Sequence, residues 1–118
     1  MTSDKNNDAL KIAINALEEK KGEQIKVLDI SKVSVMADYF IIASGKNQNQ
    51  IRAMADEVEE KLSKAGVEPK QVEGAKSSGW ILMDYRDFII HIFNEDQRLY
   101  YDIERIWSDG VDINPADI

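Results

Sequence analysis

The sequence predicts an α/β domain in which a mixed β-sheet carries helices on its faces. Two observations carry that reading. Apolar residues recur at helical spacing at the start, middle and end of the chain, and short runs rich in β-branched and aromatic residues lie between them. The resulting order is helix, strand, strand, helix, weak strand, strand, strand, helix, which suits a sheet buried by helices rather than an all-helical or all-β design.

In the first helix, spanning about residues 8–21, Leu10, Ile14 and Leu17 share one face and Gly22 supplies a stop. Residues 25–30 are β-branched and partly alternating. The run Tyr39, Phe40, Ile41, Ile42, Ala43 within 38–44 suits a strand covered on both faces, and Gly45 ends it. From 47 to 65, Ile51, Met54, Ala55, Val58 and Leu62 mark a second helix, with Asn47 or Asn49 as N-cap and Gly66 as terminator. Residues 67–73 contain Pro69, which cannot donate to a sheet ladder, so this piece is read as an edge strand or an extended connection. Residues 80–85 and 88–93 flank a very short connection at Arg86 and Asp87, the spacing of an antiparallel hairpin. A last helix over 95–107 places Leu99, Ile103 and Ile106 on a core stripe, with Tyr101 off it and toward solvent, and the acidic segment 108–118 is read as a loosely ordered tail.

At 118 residues the chain fits one domain, 1–118, with an ordered core of about 8–107. It holds no cysteine, which removes disulfides, thiolate metal sites and a cysteine nucleophile. The polar start, Met1 to Asp8, does not read as a secretory signal, and no apolar run approaches the ~20 residues of a membrane-spanning helix. The expected location is therefore the cytoplasm. With 15 Lys and Arg against 22 Asp and Glu, the formal net charge is -7 and the basic residues are scattered. Extensive nucleic-acid binding is disfavoured, whereas docking on a basic protein would be steered by this charge.

Alternation in the strand from Trp80 puts Trp80, Leu82 and Asp84 on one face and Ile81, Met83 and Tyr85 on the other. If the first face is exposed, an aromatic and an aliphatic side chain ending in a carboxylate form an apolar anchor with an acidic rim, the composition of a protein-binding hot spot. If helices cover both faces, the same residues are core. Glu73 before Gly74 is either a turn device or a contact to a basic partner. His91, the single histidine, sits in an apolar strand with no second histidine and no cysteine to complete a zinc set, so it reads as a packed side chain with one hydrogen bond. Asp84 and Asp87 could in principle hold Mg²⁺ for nucleotidyl transfer. Their spacing across a turn directs the carboxylates apart, however, and Ser44-Gly45 lacks the glycine-rich phosphate loop that would accompany them.

Several segments in order resemble the Iojap/RsfS family: Val27-Leu28-Asp29-Ile30, then Ala37 through Gly45, Glu73-Gly74, Trp80 through Tyr85, Ile89-Ile90-His91-Ile92-Phe93, and Arg98 through Trp107. The resemblance spans nearly the whole chain and implies a fold similar to a nucleotidyltransferase core without its chemistry. It also implies homodimerisation, and binding to a basic protein on the intersubunit face of the large ribosomal subunit that blocks joining of the small subunit and represses translation when nutrients are scarce. The docking residues expected on that basis are Trp80, Leu82, Asp84 and Tyr85, helped by Glu73 and Asp87, with Tyr101 nearby. No metal or cofactor is expected. Large-subunit assembly is the alternative role, and a nucleotide-binding relative of the transferases is a third. One departure stands out: the family often has Gly where this chain has Arg86, so either a positive φ there carries strain or the turn is of another type.

Overall fold

The computed structural model describes residues 2–35, 37–74 and 79–115, except the side chains of 2–7 and of Tyr101. The elements are α1 (Thr2–Glu19), β1 (Glu23–Asp29), β2 (Tyr39–Gly45), α2 (Gln48–Lys64), β3 (Gln71–Glu73), β4 (Trp80–Asp84), β5 (Phe88–Asn94), α3 (Glu95–Tyr101), α4 (Ile103–Ile106) and β6 (Val111–Ile113). The strands form one six-stranded mixed sheet in the order β3-β4-β5-β2-β1-β6. The central pair, β2 and β5, is parallel and every other pair is antiparallel. That placement explains the unbroken apolar runs in these two strands, since a central strand must be apolar on both faces.

One face of the sheet is covered by α1 and α2. Leu10, Ala13, Ile14 and Leu17 of α1 and Ile51, Met54, Val58 and Leu62 of α2 pack with Val27, Ile41, Ile81, Met83, Ile90 and Ile92 into a single core. Local chemistry fixes both ends of α2. The Asn47 side chain accepts the Gln50 N–H at 2.8 Å, and Gln50 in turn donates to the carbonyls of Lys20 and Lys21, each at 3.0 Å. This one side chain therefore ties the end of α1 to the start of α2. At the far end, Val67 donates to the Leu62 carbonyl at 2.8 Å and Gly66 to that of Ser63 at 3.0 Å. With Gly66 at φ +85°, this is a Schellman stop that needs a residue tolerant of the left-handed region.

The second face carries a smaller cluster, Leu28, Ile30, Phe40, Ile42, Ile89 and Phe93, joined by Trp80, Leu82, Ile103 and Trp107. Its cover is short because the predicted last helix is broken. Asp102 adopts the left-handed conformation, φ 48° and ψ 49°, ending α3 and restarting the chain as α4. Asp is one of the few L residues that enters this region readily. The break turns the two halves relative to each other, so the single stripe expected from spacing does not exist. Ile103 packs on the sheet, while Leu99 and Ile106, expected in the core, are 80% and 69% exposed. Arg98 holds the arrangement in place. Although only 7% exposed, it donates from Nη1 to Ser44 Oγ and from Nε to Glu104 Oε1, both at 2.8 Å. The hydrogen bond from Arg98 is the main reason the Glu104 carboxyl is held below the usual carboxylate range, against an opposing effect of burial.

The acidic segment also departs from expectation. Residues 111–113, predicted as part of a loosely ordered tail, form β6 and pair antiparallel with β1 through Val27↔Ile113, Leu28↔Asp112 and Asp29↔Val111. The physical reason is an otherwise open edge on β1, whose ladder groups are satisfied by even three extended residues. Ile113 then turns toward the helical side and packs against its core.

The β4–β5 hairpin forms as predicted, and its turn is tight. The Asp87 N–H donates to the Tyr85 carbonyl at 2.9 Å with Arg86 at φ 73° between them, a γ-turn of the strained, positive-φ kind. Asp84 Oδ1 offsets part of the strain by accepting the Arg86 N–H at 2.8 Å. Arg86→Gly should therefore stabilise the protein by about 1 kcal/mol, a rise in melting temperature of about 4 °C. Calorimetric melting checks this, and an unchanged or lower Tm contradicts it.

Candidate docking face

Strand β4 alternates half-buried and buried positions, so that Trp80, Leu82 and Asp84 project to the second face and Ile81 and Met83 into the helical core. The hairpin register places Trp80 opposite Phe93, Leu82 opposite His91 and Asp84 opposite Ile89. On its other side, β3 brings Glu73 opposite Leu82 and Gln71 opposite Asp84. A row of polar side chains therefore borders the apolar pair. The short cover of α3 and α4 packs on the β5, β2 and β1 side of this face, and Trp80 and Leu82 stay half-buried. Glu73, Gly74, Trp80 and Leu82 line a shallow hollow of about 150 Å³ at this edge. Gly74 leaves the strand at φ 81°, which lets the chain turn away immediately after Glu73.

Beneath the hollow lies a stack of rings. Trp80 packs on Phe93 with ring centroids 5.2 Å apart and on His91 at 5.9 Å, both near-parallel. Phe40 meets His91 edge-on at 4.8 Å and Trp107 edge-on at 5.2 Å. Trp80 Nε1 donates to His91 Nδ1 at 3.2 Å. This is the single hydrogen bond expected for a packed histidine. Because Nδ1 accepts, the neutral ring carries its proton on Nε2, which is buried and has no hydrogen-bond partner among the described residues. Burial pushes the His91 pKa down to about 4, so the ring is neutral at physiological pH.

The structure brings together four of the seven residues predicted for docking. Glu73, Trp80, Leu82 and Asp84 share one edge of one face. Asp87 is exposed in the adjoining turn, where its carbonyl accepts from the N–H groups of Asp38 and Tyr39. Tyr85 is a correction: it is 5% exposed and belongs to the helical core, stacked on Phe88 at 5.2 Å. Strand alternation had already put it on the opposite face from Trp80, and burial there raises its hydroxyl pKa above the ordinary tyrosine value. Tyr101 ends α3, and its side chain lies outside the described residues.

Two features escaped the sequence reading. One is the support of Trp80 by His91, a cross-strand relation that the hairpin register alone would have exposed. The other is the exposed trio Leu99, Tyr100 and Ile106, at 80%, 79% and 69%, which lies on the two sides of the break at Asp102. Asp84 is occupied with the turn, and among the described residues no cluster of three or more His, Asp or Glu side chains is arranged to hold a metal ion. No described helix is long and apolar enough to cross a membrane.

Comparison with known proteins adds the following. Residues 3–118 match the family model described as ribosomal silencing factor during starvation, RsfS. A protein of Halalkalibacterium halodurans named ribosomal silencing factor RsfS is 36% identical over 105 residues, covering 89% of this chain and 90% of its own length. A crystal structure of a Chromobacterium violaceum protein superposes with a TM-score of 0.83 at 40% identity, covering 86% of this chain and 84% of that one. More distantly, a mouse protein named mitochondrial assembly of ribosomal large subunit protein 1 is 24% identical over 98 residues, which cover 80% of this chain and 43% of the mouse protein.

Proposed function

The chain belongs to the RsfS family of ribosomal silencing factors, and from that premise we propose that it acts without catalysis, docking on the large ribosomal subunit and sterically blocking the small one. The observation that carries the proposal is the half-buried pair Trp80 and Leu82 on a sheet face that its own helices cover only in part, bordered by Asp84 and Glu73. An apolar anchor inside an acidic rim suits a basic protein surface at the subunit interface, and the net charge of -7 favours a protein over an RNA contact. Asp87, in the next turn, extends the rim. The reading places the protein in the cytoplasm, where translation is repressed by occupancy alone. It includes a homodimer, for which Leu99, Tyr100 and Ile106 supply exposed apolar area on α3 and α4.

The test is a sucrose gradient of purified large and small subunits, with the protein added to the large subunits before mixing. A reduced peak of joined ribosomes and co-migration of the protein with large subunits are expected. An undiminished peak removes the proposal. A second reading, assistance in large-subunit assembly, is favoured by the name of the mouse relative. It shares the partner and differs in timing, so a protein that binds immature but not mature large subunits would select it.

A further inference from the structure

We propose that His91 is a positioning residue of the docking face, whose Nδ1 holds the Trp80 indole in the orientation that a partner meets. The inference rests on the docking role of Trp80 given above and extends it to a buried residue that touches no partner. Trp80 lies on β4, the strand next to the sheet edge, and is half-buried, so part of the indole is presented to solvent. Stacking on Phe93 and His91 restrains the ring plane but not which edge of the indole points inward. The hydrogen bond from Nε1 to His91 Nδ1, 3.2 Å long, selects that edge.

The imidazole itself is poorly suited to a purely structural task. His91 is 4% exposed, and its strand neighbours on the same face, Ile89 and Phe93, are apolar. By accepting at Nδ1, the ring leaves a buried Nε2–H with no acceptor among the described residues, which is unfavourable for folding. Phenylalanine or leucine would fill the space without that penalty. What histidine adds is a lone pair at the Trp80 indole, and because burial keeps the ring unprotonated, that lone pair is available throughout the physiological range. An anchor ordered before contact gives up less conformational freedom on binding.

Binding of purified bacterial large subunits, measured by cosedimentation, tests the assignment with three variants. His91→Phe keeps a flat ring of slightly larger size and removes the acceptor, and should raise Kd about tenfold. His91→Asn places an amide oxygen near the position of Nδ1 and should bind within about threefold of the unmodified protein. Proton NMR supplies the readout that a structural role would not move: the Trp80 indole N–H should exchange slowly with solvent in the unmodified protein and in His91→Asn, and rapidly in His91→Phe. Unchanged affinity in folded His91→Phe, while Trp80→Ala binds poorly, overturns the positioning role and leaves the docking face intact. Normal binding by Trp80→Ala overturns the docking face, and the present assignment with it. Should His91→Phe fail to fold, the unmodified protein decides, since rapid indole exchange there also overturns the assignment.

Discussion

Lowering the pH from 7 to 4 is expected to destabilise the fold by about 3 kcal/mol through His91 alone, enough to lower the melting temperature by about 10 °C. The cause is burial, which holds the folded-state pKa at about 4 against an ordinary value of 6.5. Above pH 6.5 the ring is neutral in both the folded and unfolded states, and the linkage contributes nothing. Between 6.5 and 4 the unfolded chain takes up a proton that the folded protein refuses, so stability falls with each step toward acid. Below 4 both states are protonated and this contribution levels off. Glu104 acts in a lower window, because its carboxyl is depressed in the fold by Arg98 and its stabilisation is lost only as pH falls below the usual carboxylate range. Urea denaturation across pH 7 to 4, with His91→Phe as control, separates the two. Equal slopes for both proteins between pH 6.5 and 4.5 would contradict the role given to His91.

Much of the architecture was legible because it rests on local rules. The i, i+4, i+7 spacing in α1 and α2, the caps at Asn47 and Gly66, the alternation in β4 and the near-continuous apolar runs of β2 and β5 each state their own secondary structure. At Arg86 the strain was legible only through the resemblance, since the family often has Gly there, and the φ of 73° realises it. The parts that were not legible depend on contacts distant in sequence. Asp102 breaks the last helix in a setting fixed by Arg98, which reaches back 54 residues to Ser44. Nothing in the spacing of Leu99, Ile103 and Ile106 reveals that. Likewise, β6 exists because β1 offers it an edge, and three residues are too few to announce a strand by pattern. At the docking face, alternation correctly joined Trp80, Leu82 and Asp84 and correctly separated Tyr85 from them. Adding Tyr85 to the docking set went against the strand geometry, and its burial in the helical core follows from that geometry.

Leu82→Glu and Trp80→Ala should each weaken binding to large ribosomal subunits by about 30-fold or more, the loss of about 2 kcal/mol typical of a central anchor. Leu82→Glu is the cleaner variant. Leu82 is half-buried and sits between Glu73 and His91 in the cross-strand register, so a carboxylate there adds like charge and removes apolar contact on a face already open to solvent. Trp80→Ala also removes the stack on Phe93 and leaves His91 Nδ1 without its donor, so some of its effect would appear as a lower melting temperature. The acidic rim calls for a subtler change, because Asp84 has two tasks. Its Oδ1 accepts the Arg86 N–H in a strained turn, and its charge faces the proposed basic partner. Asp84→Asn keeps an acceptor while removing the charge, and should weaken binding about fivefold at low ionic strength and less in high salt. Asp84→Lys reverses the charge and disturbs the turn as well, so its larger loss of binding would mix the two effects. Tyr85→Phe supplies the internal control. The Tyr85 hydroxyl is buried on the opposite face without a hydrogen-bond partner among the described residues, so its removal should leave affinity within about twofold and stability undiminished. Cosedimentation titrations, with melting curves for each variant, measure all of these. Folded Leu82→Glu and Trp80→Ala proteins that bind as tightly as the unmodified chain would move the docking surface elsewhere, and the exposed apolar trio on α3 and α4 would be the next place to look.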